Sequence, residues 1–153
     1  MILFIGCQGA GKTTFYRQRF FDSHVRASLD MLKTRNRERL LVSACLHMRQ
    51  RFVVDNTNPT VEDRQRYFEL ARGSGFRVIG YYFEATIEEL LRRNAQRKGK
   101  QVIPEIGVRA TLRKLEPPTY AEGFHALFLV RAAPGETYEV EMMQREAAHH
   151  PDD

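Results

Sequence analysis

The stretch Met1-Ile-Leu-Phe-Ile-Gly6-Cys-Gln-Gly-Ala-Gly11-Lys12-Thr13 decides how the chain is to be read. Five apolar, β-prone residues stop abruptly at a glycine, which suits a short buried strand. Gly6 to Thr13 then matches G-x-x-x-x-G-K-[ST] in full. The apolar and aromatic residues Phe15, Tyr16, Phe20 and Phe21 predict a helix from Lys12 to Phe21. A strand, a glycine loop and a helix in that order form the context that a phosphate-binding loop requires. Glycines let successive backbone N–H groups point inward as an anion nest, and the new helix adds its positive end. Gly9, Ala10, Gly11, Lys12, Thr13 and Thr14 are the candidate phosphate cradle, with Lys12 on the β- and γ-phosphates and the Thr13 hydroxyl on Mg²⁺. ATP and Mg²⁺ are therefore the expected ligands.

Beyond the loop, strands and helices alternate. Strands are expected at His24–Ser28, Arg51–Asp55, Phe76–Phe83 and Ala126–Val130, with a short one at Thr137–Val140. Helices are expected over residues 33–50, from Thr60 to Ala71, from Thr86 into the basic stretch Arg92–Lys100, and over Pro104–Leu115. Thr86 and Glu89 have the spacing of a capping box. Such alternation implies parallel βαβ units in a doubly wound α/β sheet with flanking helices. Ligands of these sheets bind outside the carboxyl ends of the strands. Gly6, Asp30, Asp55 and Glu84 each follow a predicted strand, so three carboxylates and the glycine loop are expected on one rim.

Composition bounds the rest. The 153 residues fit one domain, and 42% apolar with 28% charged residues is a globular balance. No apolar run approaches a membrane span of roughly 20 residues, and no signal peptide is expected at Met1. Two cysteines, Cys7 and Cys45, are too few for a disulfide framework, so a reducing, cytoplasmic home without disulfide or membrane partner is expected. The five histidines have no metal spacing. Residues 1–115 hold 22 Lys and Arg against 11 Asp and Glu, and residues 116–153 hold 2 against 8. A basic body favours a polyanionic ligand such as a nucleotide or nucleic acid.

Asp30 stands beside the expected γ-phosphate position, where phosphoryl transfer needs a group to orient the acceptor hydroxyl and take its proton. The competing role is a helix N-cap for the segment beginning at Met31. Asp55 ends its strand as a Mg²⁺-contacting acid would, against an Asx-turn with Asn56 or Thr57. The roles of Asp30 and Asp55 are also interchangeable at this level. Lys33, Arg35, Arg37 and Arg39 form either an acceptor-phosphate site or a solvated face. Arg93 and Arg97 share one helix face, where they would offset charge on a transferred phosphoryl group, with Arg92 a weaker candidate. Ion pairing of Glu88 with Arg92 and Glu89 with Arg93 is the plainer use of two of them.

These residues resemble those of the P-loop kinases, and among them the 5′-hydroxyl polynucleotide kinases of phages and the kinase domains of animal DNA-repair polynucleotide kinases. The resemblance covers about residues 1–131. It rests on Gly6–Thr14, Leu29-Asp30, Asp55-Asn-Thr-Asn-Pro59 followed by Arg64, Arg93-Asn-Ala-Gln-Arg97, Ile103-Pro104 and Pro118-Thr-Tyr-Ala-Glu-Gly-Phe124. It implies an adenylate-kinase-like P-loop NTPase fold over residues 1–143, a short lid at about 94–104, and a frayed tail at 144–153. It implies Asp30 as general base, Asp55 and Asn58 lining the active site, and Arg93 and Arg97 in the lid. Phage enzymes carry an Arg three residues after the base, where this chain has Lys33, a point charge rather than a planar fork. The resemblance does not extend to their oligomer-forming and 3′-phosphatase portions. The same pattern occurs in small-molecule and zeta-toxin-like sugar-nucleotide kinases, so the acceptor is a 5′-hydroxyl end of DNA or RNA or a small hydroxyl compound. A nucleotide-gated binding module without transfer is the reading from another class.

Overall fold

The protein is described by a computed structural model covering residues 1–99 and 102–146. Six strands form one sheet in the order β2-β3-β1-β4-β5-β6. They are β1 (Ile2–Ile5), β2 (Val25–Ala27), β3 (Phe52–Val54), β4 (Ile79–Phe83), β5 (Ala126–Ala133) and β6 (Thr137–Met142). The first five are parallel, and β6 returns antiparallel on β5 with Val130 opposite Val140. The expected doubly wound parallel sheet thus gains an antiparallel edge. The reason is local: Gly135 and Glu136 both take positive φ, which folds a tight hairpin.

The helices are α1 (Lys12–Arg19), α2 (Leu29–Leu32), α3 (Arg35–Met48), α4 (Val61–Ala71), α5 (Ile87–Ala95) and α6 (Glu105–Lys114). β1 is buried on both faces, as a central parallel strand must be. Leu3 and Ile5 point into a core with Val42 and Cys45 of α3 and Tyr67 of α4. Ile2 and Phe4 point into the other, with Phe15 of α1, Leu90 of α5 and Val108 of α6. Four aromatic rings pack edge to face or tilted around Phe4, at centroid distances of 5.0 to 6.0 Å.

Two helix starts are local consequences of sequence. Capping boxes join Thr60 to Asp63 and Thr86 to Glu89. The helix expected over 33–50 is found as α3, and the short α2 precedes it as a separate element. Lys33 takes φ 73° and stops α2, and Thr34 opens α3 by accepting the Arg37 amide. Residues 144–146 carry no regular element, although Arg145 donates to the His125 carbonyl and covers the Tyr120 ring. Residues 147–153 of the expected tail and residues 100 and 101 of the expected lid lie outside the described residues.

Candidate active site

The chain leaves β1 through Gly6, where an added Cβ would lie 2.9 Å from the Phe83 Cβ. Only glycine lets the loop pass that close to β4. Gly11, at φ 94°, caps α1, and a Cβ there would meet the Tyr138 hydroxyl at 3.0 Å. That hydroxyl donates to the Gly11 carbonyl at 2.8 Å, so β6 ties down the loop from the far end of the chain. Inside the loop, Lys12 Nζ donates to the carbonyls of Gly6 at 2.7 Å and Cys7 at 2.8 Å. Burial pulls the Lys12 ammonium down to about 8, with Asp55 opposing the shift. The Ala10 amide turns inward to the Cys7 carbonyl, and Ala10 is buried beneath the loop.

A cleft of about 1000 Å³ opens over this loop. Its lining includes Gly9, Gly11, Lys12, Thr13 and Thr14 of the loop, the acids Asp30 and Asp55, and Arg92, Arg93 and Arg97. Asp30 sits in the first turn of α2 and is exposed to the cleft. The N-cap of that helix is Ser28, so the capping role weighed for Asp30 does not apply. The α2 amide at Leu29 is instead held by Asn56 Oδ1 at 2.9 Å. Asn56 Nδ2 in turn donates to Glu38 Oε2, and Glu38 Oε1 accepts from the Tyr67 hydroxyl at 2.9 Å and Arg35 Nη1 at 3.0 Å. A buried glutamate on α3 thereby steadies the turn that presents Asp30.

Asp55 accepts the Thr13 hydroxyl at 3.0 Å and Arg26 Nε at 2.8 Å through the same oxygen, Oδ2. These contacts take the place of the Asx-turn weighed for it. Arg93 Nη1 reaches the Gly9 carbonyl at 3.4 Å, while Glu89 closes its own capping box. Asn94 exchanges hydrogen bonds with both backbone groups of Ile103, which clips together the two ends of the intervening segment.

Three expected site residues stand elsewhere. Asn58 is buried at φ 44°, its side-chain amide on the Phe4 carbonyl at 2.8 Å and its own carbonyl on Arg64. It braces the loop after β3 from behind and does not line the cleft. Lys33 is exposed and also outside the lining. Glu84, expected on the shared rim, pairs with Arg131 at 3.0 Å on the surface. Arg35 donates to Glu38 and Tyr67 while staying about half exposed, and Arg37 and Arg39 are exposed beside it. Arg26 and Tyr138 were not among the candidates. Arg26 lies on a three-residue edge strand and Tyr138 across 127 residues from Gly11, and neither position has a local signal.

A phosphate loop between β1 and α1, strand order β2-β3-β1-β4-β5 and helices on both faces define a P-loop kinase fold. The chain belongs to the AAA domain family AAA_33, whose model matches residues 21–118. It is 26% identical over 129 residues to the bifunctional polynucleotide phosphatase/kinase of Schizosaccharomyces pombe, covering 81% of this chain and 31% of that protein. The chain thus spans about a third of that curated relative. Among solved structures, it is similar to a gluconokinase from Sinorhizobium meliloti 1021, with TM-score 0.60, 20% identity and coverage of 87% of this chain and 83% of that one. It is also similar to Kti12 from Chaetomium thermophilum, solved with ADP-AlF3, with TM-score 0.65, 16% identity and coverage of 85% and 88%. At these identities the two structures speak to fold alone. No helix among the described residues is long and apolar enough to cross a membrane, and both cysteines are free and buried.

Proposed function

We propose that the chain is an ATP- and Mg²⁺-dependent kinase that moves the γ-phosphoryl group of ATP to a 5′-hydroxyl end of DNA or RNA in the cytoplasm. The observation that carries this reading is the meeting of the phosphate loop, the Asp30 carboxylate, Arg93 of α5 and Arg97 just past its end in one cleft. A nucleotide switch has no need of an acceptor base facing its phosphate loop. The polynucleotide acceptor is favoured by the Asp55–Pro59 and Arg93–Arg97 runs and by the relative whose name joins a phosphatase to a polynucleotide kinase. The proposal takes residues 1–143 as the kinase domain and residues 94–104 as its lid.

In this reading Gly9, Gly11, Thr14 and Lys12 hold the ATP phosphates, the Ala10 amide stays on the Cys7 carbonyl outside the cleft lining, and Lys12 exchanges its two carbonyl partners for phosphate oxygens. Thr13 Oγ1 and Asp55 Oδ2, a hydroxyl and a carboxylate 3.0 Å apart, suit a hard divalent cation and would hold Mg²⁺. When bound, that ion neutralises charge on the transferring phosphoryl group. Asp30 accepts the proton of the acceptor hydroxyl as its oxygen bonds to the γ-phosphorus. The bond from that phosphorus to the bridging oxygen breaks, and ADP leaves. Arg93 and Arg97 stabilise the charge that develops on the phosphoryl oxygens. Lys33 and Asn58 enter only as an exposed cation for an acceptor phosphate and as the brace of the loop bearing Asp55.

The test is transfer of labelled γ-phosphate from ATP, with Mg²⁺, to paired 5′-hydroxyl and 5′-phosphate oligonucleotides. Label on the 5′-hydroxyl strand alone is the expected result. ATP turnover stimulated by small hydroxyl compounds and by neither strand would move the acceptor to a nucleoside or sugar and retain the site assignments.

A further inference from the structure

The Thr13 hydroxyl and the Asp55 carboxylate share a neighbour that phosphoryl transfer does not call for. Arg26, the middle residue of β2, lies in register with Val53, two residues before Asp55. Its Nε donates to Asp55 Oδ2 at 2.8 Å, and its Nη2 reaches Thr13 Oγ1 at 3.4 Å. The Asp55 side chain is 2% exposed and that of Arg26 23%. A carboxylate so enclosed requires a positive partner. Lys12 does not fill that place, because its ammonium is held by the Gly6 and Cys7 carbonyls. The guanidinium therefore rests on the two oxygens that suit a divalent ion.

We infer that Arg26 is a tethered competitor of the divalent ion: it holds Asp55 and Thr13 in liganding position and gives up the Thr13 oxygen when Mg²⁺ enters with the nucleotide. This rests on the nucleotide·Mg²⁺ reading above. The chemistry follows from the Thr13 hydroxyl. Its proton points to Asp55 and can stay there, while the lone pair facing Nη2 is the one an ion would take. The Arg26 guanidinium, resting on both oxygens, repels a second cation there. Arg26 is a positioning residue that lowers metal affinity and keeps the buried acid paired.

The test follows Mg²⁺ titration of wild-type and Arg26→Gln chains bound to fluorescent mant-ADP, with the melting temperature of each chain recorded without Mg²⁺. Arg26→Gln should respond to about tenfold less Mg²⁺, the size of effect that removing a neighbouring like charge has on an ionic equilibrium. It should also melt lower without the ion, because Asp55 has lost its partner. Arg26→Lys, which keeps the charge, should stay near wild type in its Mg²⁺ midpoint. Equal midpoints in wild type and Arg26→Gln overturn the inference and leave the nucleotide reading standing. No Mg²⁺ response in either chain overturns both. Should Arg26→Gln fail to fold, wild type decides alone. The Arg26 Nη resonances, assigned by their loss in Arg26→Lys, should move and exchange faster when Mg²⁺ joins the ADP complex, because Nη2 is the group that leaves Thr13 Oγ1. Nη resonances unchanged at saturating Mg²⁺ overturn the competition.

Discussion

Arg64 and Glu122 meet by two parallel hydrogen bonds in the interior, Nε to Oε1 at 2.7 Å and Nη2 to Oε2 at 3.0 Å. The Arg64 side chain has no exposed surface, and its Nη1 also holds the Asn58 carbonyl at 2.9 Å. Glu122, in the 3-10 turn Tyr120–Glu122, further accepts the Thr119 amide at 2.8 Å. One ion pair therefore joins α4, the segment before β5 and the loop behind Asp55. Glu122→Gln leaves a buried guanidinium against a neutral amide and should destabilise the fold by about 3 kcal/mol. Urea unfolding of Glu122→Gln, Arg64→Met and the double Arg64→Met/Glu122→Met chain checks this. The double variant should lose less than the two single losses together.

Asp30→Asn separates binding from transfer. The side chain is exposed in the cleft and is not part of the α2 cap. Nucleotide affinity should stay within about twofold, while turnover should fall on the order of 10²- to 10⁴-fold. Single-turnover transfer of labelled phosphate beside a mant-ADP titration measures both. A fully active Asp30→Asn chain would remove Asp30 as the base.

Much of this frame is legible in local sequence. Strand β1, the loop and α1 follow from one contiguous motif, and the caps at Thr60 and Thr86 from residues three apart. Placement across the sheet is less so. Glu84 follows its strand as expected, yet Arg131 of β5 draws its side chain away from the cleft. Asn58 sits in the right loop but faces the Phe4 carbonyl, because its positive φ turns the side chain inward. Arg26, Glu38 and Tyr138 owe their positions to partners 29, 18 and 127 residues away, distances over which periodicity and caps say nothing.

Lys12 gives the site a pH dependence. Burial holds its ammonium at about 8 against an ordinary 10.5. Between those values the unfolded chain keeps a proton that the folded chain has released, so this residue's contribution to stability rises with pH across that window. Anion binding runs the other way, since it needs the charged form. ADP affinity should fall about tenfold between pH 7 and pH 9 in wild type. Lys12→Met, weaker throughout, should show a flat profile in the same equilibrium titration.

Asn56→Ala tests the route from α3 to the candidate base. It removes the acceptor of the Leu29 amide and the donor to Glu38 while leaving the phosphate loop untouched. Turnover should drop roughly tenfold as Asp30 loses its fixed approach, with ADP affinity preserved. A parallel loss in both quantities would mean that Asn56 supports the whole site and not the acceptor side.

Tyr138 grips the Gly11 carbonyl from a strand that begins after more than 120 intervening residues. During synthesis the phosphate loop leaves the ribosome well ahead of its latch, which follows 127 residues later. The loop therefore gains this clasp only once β6 has zipped onto β5. A nascent chain stalled before Thr137 would carry the complete glycine loop and still lack the clasp that shapes it.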